Sequence, residues 1–170
     1  LSGGGPSVLA TIMGGSSQPT CFVSNAIDTV CFAATSAAGG REVWTTHGTP
    51  VTTTQLADVV PGVSGSNPTA LMMSPGNPGV FFQVESSGGH RDLYFAVQGA
   101  NPVFKKYDSW VESTQQHTIV SPREIAYLRP EASWWQIKLA DGVNDFAVNL
   151  GSLFNSVARM WNSSTTIPDR

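Results

Sequence analysis

Apolar residues in this chain come in short bursts, not at the three-and-four spacing of a long amphipathic helix. Three bursts stand out: "VCFAAT" from Val30, "VFFQVE" from Val80 and "WWQIKL" from Trp134. Gly, Ser, Thr, Asn and Pro fill the intervals, and these residues punctuate strands and build turns. The pattern predicts apolar strands over 30–35, 80–85 and 134–139. Each is followed by a Gly-bearing turn and a partner strand, over 41–46, 91–97 and 145–150.

The bursts are copies of one phrase. Residues 30–44 and 80–94 align without a gap at an offset of 50, with five identities: Val30/Val80, Phe32/Phe82, Ser36/Ser86, Gly39/Gly89 and Arg41/Arg91. Glu42/Asp92, Val43/Leu93 and Trp44/Tyr94 keep the chemistry. A weaker third copy sets "WWQI" at 134–137 against "FFQV" at 81–84, and "FAV" at 146–148 against "FAV" at 95–97. Its Asp141-Gly142 pair predicts a tighter hairpin turn.

A Pro with an aliphatic residue three positions on precedes each copy: Pro6/Leu9, Pro68/Leu71 and Pro122/Ile125. Pro suits the start of a strand, not a central ladder, so each pair predicts an entry strand. On this reading the first unit carries an insertion containing Cys21. "TPVTTTQLADVV" and "NPVFKKYDSWVE" supply closing strands, giving about four strands per unit and about twelve in all. The prediction is an all-β chain with one repeat domain over 1–150, in units of about 1–60, 61–115 and 116–150. The C-terminal segment 151–170 follows. Leu150, Leu153, Phe154, Val157, Met160 and Trp161 have helical spacing and predict a short amphipathic helix.

Composition agrees with β structure. Charged residues make up 12% of the chain, about half the usual share, while Gly (17) and Pro (11) are abundant. The net charge is −3, and Lys105-Lys106 is the only adjacent basic pair, so no basic footprint for nucleic acid exists. No apolar run reaches the roughly 18–20 residues that span a bilayer. The chain begins "LSGGGPSVL" without Met, which reads equally as a processed N-terminus or as a fragment. Nine residues separate Cys21 from Cys31, room for a strand, a turn at "SNAID" and a returning strand. A disulfide across that hairpin is expected, and with it an oxidising, extracytoplasmic compartment.

"REVWTTHGTPVTTTQLADVVPGVSGSNPTAL" resembles the bacterial-type β-propeller repeat with the signature ELW-x-TDGT. Glu42-Val43-Trp44 stands for ELW, Thr46-His47-Gly48-Thr49 for TDGT, and Asp58, Pro61-Gly62, Gly65-Ser66 and Pro68 for the loop that follows. The resemblance covers about residues 30–97, fades through 98–130 and leaves a trace in 131–150. His47 departs from the usual Asp, and the second unit lacks the TDGT part. The resemblance implies a propeller-blade-like scaffold in an extracytoplasmic or cell-surface setting, with no shared catalytic site. Three blades are too few for a typical closed propeller. The expectation is an open or partial array, with a β-trefoil or a β-sandwich as alternatives.

No catalytic constellation is legible. There is no G-x-S-x-G elbow, P-loop, G-x-G-x-x-G or H-E-x-x-H, and no carboxylate pair stands out as a glycosidase dyad. His47, His90 and His117 are read as surface loop residues, and the repeated Arg–acid pair as a structural tie to a turn carbonyl or a neighbouring strand. Two thiols without a nearby His make no zinc site, so neither cofactor nor metal is expected. Trp110, Trp134, Trp135 and Trp161 are the candidate binding residues, suited to a protein interface or to sugar stacking. Asn162-Ser163-Ser164 fits a glycosylation acceptor. The expected function is a non-catalytic interaction protein: a scaffold subunit of a surface layer, filament or complex, partnered by other proteins or by itself. A lectin-like carbohydrate-binding module is the alternative.

Overall fold

The computed structural model describes residues 8–12, 16–25, 27–73, 79–86, 88–97, 103–111, 117–121, 124–130, 135–140 and 145–148. These residues are mostly β. The first sheet holds β1 (Thr20–Ser24), β2 (Val30–Ser36), β3 (Gly40–Thr46) and β4 (Thr54–Ala57). The second holds β5 (Thr69–Met72), β6 (Gly79–Glu85), β7 (Arg91–Val97) and β8 (Val103–Val111). The third holds β9 (His117–Ser121), β10 (Glu124–Pro130), β11 (Trp135–Ala140) and β12 (Asp145–Val148). Every pairing is antiparallel and joins strands adjacent in the chain. A single 3-10 turn, Pro50–Thr52, links β3 to β4, and no α-helix occurs among the described residues. The helix expected from residue 150 onward lies outside them.

The first two sheets repeat in register as well as in sequence. Val30 pairs with Thr46, Phe32 with Trp44 and Ala34 with Glu42; fifty residues on, Val80 pairs with Ala96, Phe82 with Tyr94 and Val84 with Asp92. The irregularities repeat too. The β3–β4 ladder slips between Val43 and Trp44, and the β7–β8 ladder slips between Leu93 and Tyr94.

The entry strand of the first sheet is not where the Pro6/Leu9 anchor put it. Leu9 is not part of a strand, and Pro6 lies outside the described residues. The entry strand is β1, led by Pro19. Thr20 faces Ala33 and Val23 faces Cys31, just as Thr69 faces Gln83 and Met72 faces Phe81, with a bulge between the two pairs in both ladders. The match reaches the backbone: Gln18 and Asn67 have φ of 45° and 50°, and Cys21 and Ala70 have φ of 57° and 51°. "QPTCFV" and "NPTALM" are therefore the equivalent segments at an offset of 49. Cys21 belongs to the repeat itself and not to an insertion.

The third sheet keeps the strands but not the pattern. Its "WWQI"/"FAV" hairpin forms the last two strands instead of the middle two, with β9 added ahead of the Ile125 strand. Phe146 pairs with Leu139, whereas its counterpart Phe95 pairs with Phe81. Asp141-Gly142 lies outside the described residues.

Two apolar layers join the sheets. Cys31, Val43, Leu56 and Ala57 of the first sheet pack with Leu71, Val80, Phe82, Val84 and Ala96 of the second. Met72, Phe81, Leu93 and Phe95, on the other face of the second sheet, pack with Ile125 and Tyr127 of the third. The middle sheet is thus apolar on both faces, which explains its unbroken Val-Phe-Phe run. Burying Phe81 or Phe82 stabilises by roughly 1.5–3 kcal/mol relative to exposure.

Candidate functional site

The motif residues of the first unit form one polar knot. Glu42 is fully buried on β3. One carboxylate oxygen accepts the backbone N–H of Ser66 at 2.8 Å and of Val60 at 3.2 Å; the other accepts the Ser66 hydroxyl at 2.5 Å. Burial pushes the Glu42 carboxyl above its ordinary value, and the Ser66 hydroxyl and the backbone donors oppose that rise. Gly65 lets the loop approach: a Cβ there would lie 2.2 Å from Arg41 N, and its φ of 61° is left-handed. Gly40 meets it from the other side, where a Cβ would lie 2.4 Å from Gly65 N. These backbone contacts seat the 58–68 loop on the start of β3.

Arg41 and Arg91 take the same role in their sheets. Arg41 reaches across β2 to the Gln18 carbonyl at 2.8 Å and to the Thr20 hydroxyl. Arg91 reaches across β6 to the Thr69 hydroxyl at 2.5 Å. Thr20 and Thr69 open the entry strands at matching positions, so each Arg ties the third strand of its sheet to the first.

A cleft of about 420 Å³ lies on the face of the first sheet turned away from the second. Val30, Phe32 and Thr46 lie along its floor, Phe22 stacks on Phe32 at 5.4 Å, and Leu9 and Ile12 form a wall. Phe22 is 61% exposed.

At the polar end, Asp28 and Thr29 meet His47. Asn25 Oδ1 accepts the N–H groups of Ile27, Asp28 and Thr29 and so fixes the β1–β2 turn. Asp28 Oδ2 and Thr29 Oγ1 each lie 3.5 Å from His47 Nδ1, and Thr29 Oγ1 donates to Asp28 Oδ1 at 2.9 Å. The Thr29 hydroxyl beside Asp28 holds its carboxyl below the ordinary range, and His47 adds a smaller push the same way. A proton relay needs the acid on one ring nitrogen and the nucleophile on the other. Here both address the same nitrogen, and the trio ties the β1–β2 turn to the end of β3.

The two cysteines are not bonded. Both are free thiols, Cys21 exposed and Cys31 buried. The cross-strand neighbour of Cys31 is Val23, because the bulge between Thr20 and Val23 sets Cys21 off the ladder. Burial pushes the Cys31 thiol up to about 11. The expected Cys21–Cys31 disulfide is therefore corrected, and the compartment argument built on it goes too.

The candidate tryptophans are not brought together as a described site. Trp110 is a position on β8 and Trp135 opens β11, with side chains outside the description; Trp134, Trp161 and Asn162 are also outside the described residues. His117 is the first residue of a strand and pairs with Tyr127, not a loop residue. The aromatic that does stand at an opening, Phe22, was missed because its segment was read as an insertion. The signal was present: "PT" at Pro19-Thr20 recurs at Pro68-Thr69.

Among the described residues no three metal-binding side chains cluster, and no helix is long and apolar enough to cross a membrane. No protein-family model, no curated protein and no solved structure matches this chain.

Proposed function

We propose that this chain is a non-catalytic β-repeat scaffold acting as a subunit of a larger assembly. One observation carries the reading. Sheets stack here by covering one face of the next, and on the first sheet Phe22, which matches the covered Leu71, stands 61% exposed at an apolar cleft beside buried Phe32. An apolar face of this kind is a site for association, not for turnover. The turn lock of His47, Asp28 and Thr29 leaves that reading unopposed, since its geometry serves the turn. The likeness of "EVWTTHGT" to the ELW-x-TDGT signature fits an unclosed array of blade-like units. With both thiols free, an extracytoplasmic setting rests on that likeness alone.

The test is the size of the native species. Protein taken from its source under mild conditions should run in a complex well above the 18.0 kDa of one chain. Recovery as a lone chain at every concentration is the opposing result.

A further inference from the structure

The cleft on the first sheet has a closed floor and an open rim. Phe32 and Thr46 are buried by the chain itself, so they form a base and not a free face. The rim is what stands in solvent: Phe22 is 61% exposed, Leu9 38%, and the Asp28 side chain 63%. A volume of about 420 Å³ takes a small ligand or one or two side chains, not a whole sheet. The polar end carries one sign of charge. Among the described residues that line the cleft, Asp28 is the only acid, none is Lys or Arg, and His47 is the single group that can turn cationic. The Thr29 hydroxyl holds the Asp28 carboxyl below the ordinary range, so the charge persists at neutral pH. Arg41 of the same sheet is tied to the Gln18 carbonyl and the Thr20 hydroxyl. A purely apolar occupant would seal off the Asp28 carboxylate without adding a cation to match it.

From this we infer that the cleft receives a Lys or Arg side chain, with an apolar neighbour, from a segment of the assembly partner. This deepens the scaffold reading and rests on it. The occupant follows from complementarity. Lys and Arg lay an aliphatic stem on apolar surface and keep the charged head in water. That shape matches an apolar rim ending in an exposed carboxylate. A cation over the face of Phe22 also gains from the negative face of the ring, and the stack of Phe22 on Phe32 holds that ring beside the cleft floor. The apolar neighbour covers Phe22 and Leu9. An exposed ion pair adds little affinity, so Asp28 acts mainly by selecting which occupant fits. A free amine has the same chemistry, and the assembly arm of the test separates the two sources.

The probe is 2-phenylethylammonium chloride, titrated by NMR into the purified full chain at about pH 8, above the ordinary histidine range. It should shift the signals of Phe22, Phe32 and His47 together. Phenylacetate, of similar body and opposite charge, should bind about fivefold or more weakly. Asp28→Asn keeps the oxygen to which Thr29 donates. It should weaken the ammonium by about two- to fivefold, the effect of one exposed charge, and should not weaken phenylacetate. Phe22→Ala should weaken both. In the assembly arm, Asp28→Lys expressed in the source should enter the native complex about tenfold less than wild type. Circular dichroism shows which variants are folded, and if Asp28→Lys is not, Asp28→Asn takes its place in that arm with a loss of about two- to fivefold. An ammonium that does not bind, or binds no better than phenylacetate, overturns the inference and leaves a scaffold found in its native complex standing. Ammonium binding with unimpaired entry of the Asp28 variant into the complex assigns the cleft to a free amine and overturns the partner segment. Wild type recovered only as a lone chain sinks the scaffold reading and this inference with it.

Discussion

Phe22 and Leu71 hold the same place in two copies of one sheet, yet Phe22 is 61% exposed and Leu71 only 8%. Sequence position and backbone form do not separate them; the presence of a covering sheet does. This difference also predicts a local effect. Leu71→Ala empties a buried site and should cost about 2–5 kcal/mol in denaturant unfolding. Phe22→Ala should change monomer stability by less than about 1 kcal/mol. Equal losses at the two positions, measured on dilute protein, would mean that Phe22 is covered by its own chain.

The knot at Glu42 should shape stability against pH. Its folded carboxyl titrates above the ordinary Glu value of 4.5 because burial disfavours the charge. Below that ordinary value both states hold the proton and the contribution is intact. As pH rises from there through the raised folded value, the unfolded chain releases the proton first, and stability falls. Asp28 works in the opposite sense at lower pH: its folded value is depressed below 3.8, so its contribution is lost only as pH falls beneath that. Glu42→Gln should remove the downward slope above 4.5 and leave the acid limb unchanged. Urea midpoints across pH 3–8 read both limbs. Superimposable wild-type and variant profiles would refute the assignment. Ser66→Ala, which strips one donor from a buried carboxylate, should cost about 1–3 kcal/mol.

Much of the β architecture was legible, and the reasons are specific. Phe32 and Phe82 recur at one offset with Arg41 and Arg91, and that spacing is enough to place a hairpin, since strand register follows from apolar position and turn length. β2, β3, β6 and β7 lie within a residue of their predicted bounds. The first entry strand was misplaced because Pro6 and Leu9 mimic an anchor, while Pro19 and Phe22 are the residues that pair. The Glu42–Ser66 bond joins residues 24 apart through a loop whose path depends on left-handed Gly62, Gly65 and Asn67. A motif shows that such residues recur, not that one caps the other. The cleft was illegible because it is lined jointly by residues 9–12, β1, β2 and the end of β3, and no single strand records that.

The glycines of the first unit should separate by surroundings. Gly65→Ala brings a Cβ against the Arg41 backbone at a left-handed φ, so the loop must move. Its cost should exceed about 2 kcal/mol, since strain and displacement add. Gly48→Ala, at φ of 87° but with nothing nearby, should cost about 1 kcal/mol. Chemical denaturation ranks the pair; the reverse order would contradict the seating of the 58–68 loop.

Thiol chemistry should divide the cysteines. Cys21 is exposed and should react with a chromogenic disulfide reagent at once in the native protein. Cys31, buried and with its thiol near 11, should react only on unfolding. One fast and one masked thiol per chain is the expected count; none in either state without reductant would restore the disulfide.

A photo-crosslinking phenylalanine at position 22, an exposed site at the cleft, reports most directly on whether the chain works by association. Irradiated in the native assembly and digested, it should join to peptides of another chain, identified by mass. Crosslinks confined to the same chain, or none between chains, would contradict the scaffold reading.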